Sequence, residues 1–243
     1  MAINKVCIIG TGDFSEGLKK ILSKAGIQSI VREITEKLIG ELQDTELVIE
    51  ALPDDLDQKK RSFQEIDKIS PREAILASTT ACLSIADIGA VTGRPDRVIG
   101  LNFWPFDPEA KLVQITRGIM TSDETYEQCK RLVERIDKTA VIVKDSPGLI
   151  LNRVLASMIN EAIFVLSYGI ASRDDIDNML KLGANFPMGP LEYADYLGLD
   201  NVLNTLESLY EELGPPYRPC PLLRKMVEAG MLGKKTKIGF YQY

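Results

Sequence analysis

Lys5-Val-Cys-Ile-Ile-Gly10-Thr-Gly12-Asp-Phe-Ser15 is the stretch that decides the fold. An apolar, β-forming run ends at Gly10, and Phe14, Leu18, Ile21 and Leu22 then recur at helical spacing until Gly26. A strand that breaks at paired glycines and opens a helix is the setting in which helix N-terminal amides meet a phosphate. Gly10 and Gly12 let the backbone turn tightly and approach a pyrophosphate. Glu33 lies 21 residues beyond Gly12 (33 − 12), at the end of the next apolar run. A carboxylate there accepts from a ribose 2′-hydroxyl and repels a 2′-phosphate, which favours NAD over NADP. Ser15 replaces the third glycine of the fingerprint with a small side chain. Asp13 and Glu16 put negative charge in the first turn, which suits the helix dipole but competes with a diphosphate.

Outward from this stretch, apolar runs at 27–31, 47–51, 74–78, 98–101, 112–116 and 140–143 alternate with helix-patterned segments. That alternation predicts an α/β fold built on a mostly parallel, Rossmann-like sheet. Beyond residue 145 the pattern turns wholly helical. Ser146 and Pro147 read as a helix N-cap and first position, with apolar residues repeating at 151, 154, 155, 158, 159, 162, 163 and 166. Further helices are expected over 174–182, 190–212 and 220–230. The organisation expected is a nucleotide-binding domain over 1–145 and an all-α domain over 146–243.

Composition narrows the chemistry. The 243 residues carry 29 Lys and Arg against 35 Asp and Glu, a net charge of −6, which argues against a nucleic-acid partner. There is no histidine, so no imidazole base and no His-ligated metal. The four cysteines, at 7, 82, 129 and 220, form no metal or disulfide framework. The start of the chain reads as a strand rather than a signal peptide, and Asn152, Arg153, Asn160 and Glu161 interrupt the longest apolar stretch. A cytoplasmic protein, with no metal and no membrane partner, is expected.

Longer stretches resemble the NAD-dependent 3-hydroxyacyl-CoA dehydrogenase family of fatty acid metabolism. They include Val48-Ile-Glu-Ala51, Ala77-Ser-Thr-Thr80, Gly100-Leu-Asn-Phe103, Lys111-Leu-Val-Gln114, Lys144-Asp-Ser-Pro-Gly148, Pro187-Met-Gly-Pro-Leu-Glu192 and Gly233-Lys-Lys-Thr236. The resemblance implies oxidation of a 3-hydroxyacyl-CoA to the 3-ketoacyl-CoA with hydride passing to NAD, and a helical C-terminal domain that dimerises. It places Gly10, Gly12, Glu33, Ala51, Asp54, Lys59, Ser78 and Lys235 around the NAD.

The resemblance also implies a catalytic serine, histidine, glutamate and asparagine. At those positions this chain has Ala81, Asn102, Gln114 and Asn152, so only the asparagine is retained. An amide neither takes nor gives a proton near neutral pH, so Asn102 is no substitute for a general base. A neutral Asn–Gln pair is nevertheless self-consistent, because without an imidazolium no carboxylate is needed to stabilise one. The family's helical hairpin after the ribose-binding acid, which helps to hold the CoA, is replaced by a segment long enough for one helix at 35–42. Two readings follow: an oxidoreductase whose standard catalysis is impaired or redirected, or an inactive member, a pseudoenzyme, serving as a binding or regulatory subunit. The expected assembly is a homodimer or a hetero-oligomer with a paralogue.

Overall fold

A computed structural model describes residues 2–34, 40–80, 82–103 and 110–243. Ala81 and most of the segment expected to be helical at 35–42 fall outside the described residues. The chain divides into two compact units, Met1–Leu149 and Ile150–Tyr243.

The first unit is a seven-stranded sheet. Its strands are β1 (Lys5–Ile9), β2 (Gln28–Arg32), β3 (Leu47–Glu50), β4 (Ile75–Ser78), β5 (Val98–Phe103), β6 (Leu112–Arg117) and β7 (Thr139–Lys144). They lie in the order β2-β1-β3-β4-β5-β6-β7. The first five run parallel, whereas β6 pairs antiparallel with β5 and parallel with β7. Strands β1, β3 and β4 are apolar almost throughout because helices cover both faces. Those helices are α1 (Asp13–Lys24), α2 (Leu56–Ile69), α3 (Ile85–Gly89) and α4 (Asp123–Arg135). One layer packs α1 and α4 residues such as Leu18, Leu22, Cys129 and Leu132 on the sheet, and the other packs Phe63 and Ile66 of α2 with Ile85 and Ile88 of α3. Strand order reverses between β1 and β3, and in open sheets of this kind ligands bind beyond the strand C-termini at that point.

The second unit is helical, comprising α5 (Leu151–Ser167), α6 (Arg173–Asn178), α7 (Pro190–Leu197), α8 (Leu199–Leu213) and α9 (Pro221–Glu228) around one apolar core. Two expectations need correction here. The helix read from Ser146 begins instead at Leu151, because Gly148 and Leu149 adopt φ of 69° and 51° and break the first turn. The single helix read over 190–212 is two, separated at Gly198 with φ 93°. Two buried carboxylates pin this unit together. Asp177 accepts from the amides of Leu191 and Glu192 at the start of α7 and from the Tyr241 hydroxyl. Asp195 accepts from the amides of Phe240 and Tyr241 and from the Tyr243 hydroxyl, and burial raises its pKa. Among the described residues no helix is long and apolar enough to cross a membrane.

Candidate cofactor and reaction site

The functional residues of the first unit line up along the C-terminal edge of the parallel strands. Gly10 follows β1, and Gly12 caps α1 with φ 123° and no side-chain hydrogen bond to the helix start. A β-carbon on Gly10 would stand 2.8 Å from the Ala51 carbonyl oxygen, so glycine is required for the turn to lie against the end of β3. A β-carbon on Gly12 would meet nothing within 4 Å, so the φ and the open space before the helix, rather than crowding, favour glycine there. Ser15 is buried against the sheet, which is where the close packing of a third glycine would be used. Glu33 is exposed just past β2, and its carboxylate lies 3.5 Å from the Thr11 hydroxyl of the same turn. Uncapped helix amides beside an exposed acid fit the diphosphate and ribose of a dinucleotide, with the cradle formed by backbone rather than by cationic side chains.

Beneath this turn sits a closed cluster of charge. Glu50 ends β3, Ser78 ends β4, and the two are register partners. Lys59 reaches them from the first turns of α2, whose start is capped by the Asp55 side chain. Lys59 and Glu50 are both 0% exposed. The ammonium donates at 2.9 Å to Glu50 Oε1, to Glu50 Oε2 and to the Leu52 carbonyl, with Asp54 Oδ1 at 3.6 Å. Glu50 further accepts from the Leu52 amide at 2.7 Å and from the Ser78 hydroxyl at 2.9 Å. Every donor of Lys59 is therefore used inside the protein. Lys59 and Ser78, which the resemblance puts around the nucleotide, are here both bonded to Glu50. Asp54 remains exposed at the rim and accepts from the Cys82 thiol at 3.3 Å. Burial and the Asp54 charge push that thiol up to about 12. Sequence reasoning missed Glu50 itself. Its signal was available: it is the one charged residue in the run Leu47–Ala51, and a lone acid in a buried strand demands a partner.

Two strands further along, Asn102 of β5 and Gln114 of β6 are direct antiparallel partners. Such opposed residues have β-carbons about 4.5–5.5 Å apart on one sheet face. The strand reversal at β6 thus brings together two positions that are 12 residues apart in sequence (114 − 102). Asn102 Nδ2 donates to the Thr79 carbonyl at 3.1 Å, in the segment leading out of β4. Gln114 is buried. Neither side chain carries charge or a titratable proton, so this pair can donate and accept hydrogen bonds but does not itself move a proton.

The remaining candidates lie in the second unit. Asn152 is in the first turn of α5. Lys235 lies two residues beyond Gly233, and its ammonium contacts both carboxylate oxygens of Asp200 at 2.9 and 2.8 Å. Among the described residues no group of three or more acidic, Cys or His side chains could hold a metal ion.

Comparison with known proteins agrees with this layout. Residues 13–146 match the family model "3-hydroxyacyl-CoA dehydrogenase, NAD binding domain", and residues 148–243 match "3-hydroxyacyl-CoA dehydrogenase, C-terminal domain". The chain is 47% identical over 219 residues to a probable 3-hydroxybutyryl-CoA dehydrogenase of Bacillus subtilis, covering 89% of this chain and 76% of that one. It is 45% identical over 222 residues to the 3-hydroxybutyryl-CoA dehydrogenase of Clostridioides difficile, covering 91% and 78%. Among solved structures, (S)-3-hydroxybutyryl-CoA dehydrogenase from Ralstonia eutropha superposes with a TM-score of 0.94 at 36% identity, covering 100% of this chain and 99% of that one. Two matched domains in sequence, a sheet that reverses at β6 and a glycine turn against β3 lead to one assignment: the chain belongs to the 3-hydroxyacyl-CoA dehydrogenase family, with that family's NAD-binding and C-terminal domains.

Proposed function

We propose that this protein binds NAD against the Gly10–Gly12 turn and α1, with Glu33 at the adenosine ribose and Asp54 at the rim. It carries out the family's ordinary oxidation very slowly or on a redirected substrate. The observation that carries the second half is the pairing of Asn102 with Gln114, two neutral amides directly opposed on β5 and β6. When bound, NAD supplies the acceptor for a hydride from C3 of a 3-hydroxyacyl thioester. The hydroxyl proton must leave in the same event, and Asn102 has no lone pair basic enough to take it. Gln114 supplies no negative charge to support a cation in that position. Ala81, where the family has a hydroxyl, points the same way.

The shortened connection after Glu33 supports a weaker grip on a CoA moiety, so the acyl carrier need not be CoA. Ala81, Asn102 and Gln114 together favour a second reading, an NAD-binding partner that acts through an oligomer rather than by turnover.

One titration separates these readings. NADH is expected to bind the purified protein, read by nicotinamide fluorescence, and Gly12→Val is expected to abolish binding. Converting the pair with Asn102→His and Gln114→Glu should raise acetoacetyl-CoA reduction over the parent by about 10²–10⁴, the usual worth of a positioned acid–base group. Absence of any NADH binding would overturn the cofactor reading. Measurable parent turnover, as fast as that of the doubly converted protein, would overturn the loss of proton transfer. Strong NADH binding without turnover in either protein, with a paralogue co-purifying, would favour the partner reading.

A further inference from the structure

The buried Glu50–Lys59 pair under the glycine turn has no role in the reading above, although both of its charges are fully buried and bonded within the protein. A fully buried ion pair is a poor device for stability, because desolving two charges costs about as much as their attraction returns. What it does supply is fixed geometry, since each member has only one arrangement in which its partners are satisfied. Apart from Ser78 at the end of β4, the partners outside the pair belong to one short segment. Glu50 takes the Leu52 amide, Lys59 takes the Leu52 carbonyl, and Asp54 lies 3.6 Å from the same ammonium. The Ala51 carbonyl at the head of that segment is the surface on which Gly10 rests.

We propose that the Glu50–Lys59 pair, locked by Ser78, is a positioning device for the cofactor: it holds Ala51–Asp54 as the far wall of the nucleotide crevice through its bonds to Leu52 and its approach to Asp54. The proposal rests on NAD binding at the glycine turn. Lys59 therefore acts through Glu50, Leu52 and Asp54, and its cationic charge is spent within the protein.

Cys82 makes the segment observable without a ligand. Its thiol is bonded to Asp54, while Cys7, Cys129 and Cys220 are all buried. Alkylation of Cys82 by iodoacetamide, followed by mass spectrometry in the absence of nucleotide, reports whether Asp54 stays in place. The test compares wild type with the isosteric neutral double variant Glu50→Gln, Lys59→Met. Loosening the wall is expected to speed Cys82 alkylation several-fold and to weaken NADH binding roughly tenfold or more, as small misplacements of a binding frame do. Should the double variant fail to fold, Ser78→Ala removes one of the bonds to Glu50 and should move both readouts in the same direction by a smaller amount.

A merely structural pair would lower the melting temperature and leave both readouts at their wild-type values in the folded protein, which overturns the proposal. Faster alkylation with unchanged NADH affinity also overturns it, because the segment would then be loose without mattering to the cofactor. If wild type binds no NADH, the cofactor reading is what has failed, and the positioning of NAD falls with it. Unchanged alkylation would then reject the wall-fixing role as well.

Discussion

The two ends of the strand-terminal edge are built in opposite ways. At β3 and β4 the protein buries a full ion pair and satisfies it completely, with Lys59, Glu50, Ser78 and Leu52 bonded to one another at 2.7–2.9 Å. At β5 and β6, where its family resemblance places a histidine and a glutamate, it has the neutral amides Asn102 and Gln114. The first region buries an ion pair beneath the glycine turn, and the second opposes two neutral amides where the resemblance places an acid–base pair. The contrast separates two demands that are usually met together. Holding a nucleotide needs a rigid frame, whereas moving a proton needs a group whose protonation can change.

The contrast breaks most visibly at Lys59. Lys59→Met leaves the Glu50 carboxylate buried with its ammonium partner gone, which should cost about 3–5 kcal/mol of stability. Adding Glu50→Gln removes the orphaned charge and should recover most of the loss. Chemical denaturation of the two variants checks this, and equal destabilisation by both would mean that the charges are not what matters. The same experiment at the neutral end should give a small answer. Asn102→Ala removes one hydrogen bond to the Thr79 carbonyl and should cost about 0.5–1.5 kcal/mol. A loss there as large as that of Lys59→Met would erase the distinction between the two regions.

How much of this could be read from the chain depends on the range of the interaction. The strands are legible because each is a short apolar run, and the run Lys5–Ile9 has the bounds of β1. The glycine turn and Glu33 were legible because they are local and follow a strand. The start of α5 was not, since Ser146-Pro147 is a good local helix signal that Gly148 and Leu149 override by adopting left-handed backbone. The break at Gly198 escaped for a similar reason: a β-carbon there would lie 2.7 Å from Lys235 Cε, a neighbour from far along the chain. Lys59 was singled out from sequence as a residue near the nucleotide, but its burial depends on Glu50 and Ser78 from two other elements, and no local pattern carries that. The facing of Asn102 and Gln114 depends on the reversal of β6, which an apolar run does not announce.

The smallest effect tests the one feature of the cofactor end that opposes its own ligand. Asp13 occupies the first position of α1 and is exposed, directly after Gly12. Its charge interacts favourably with the helix dipole but stands where a diphosphate would be cradled, so it stabilises the helix at the expense of the ligand. Asp13→Asn should therefore tighten NADH binding about two- to fivefold at low ionic strength, the scale of a helix-end charge. Being exposed, the effect should fade with salt and vanish near 1 M, where the screening length is about 3 Å. The loss caused by the Glu50→Gln, Lys59→Met double variant should instead persist at all salt concentrations, because its origin is buried geometry rather than a field through solvent. Titrations of both proteins across salt put the two mechanisms on one axis. An Asp13→Asn gain that survived 1 M salt would show that the side chain obstructs the diphosphate by its shape and not by its charge.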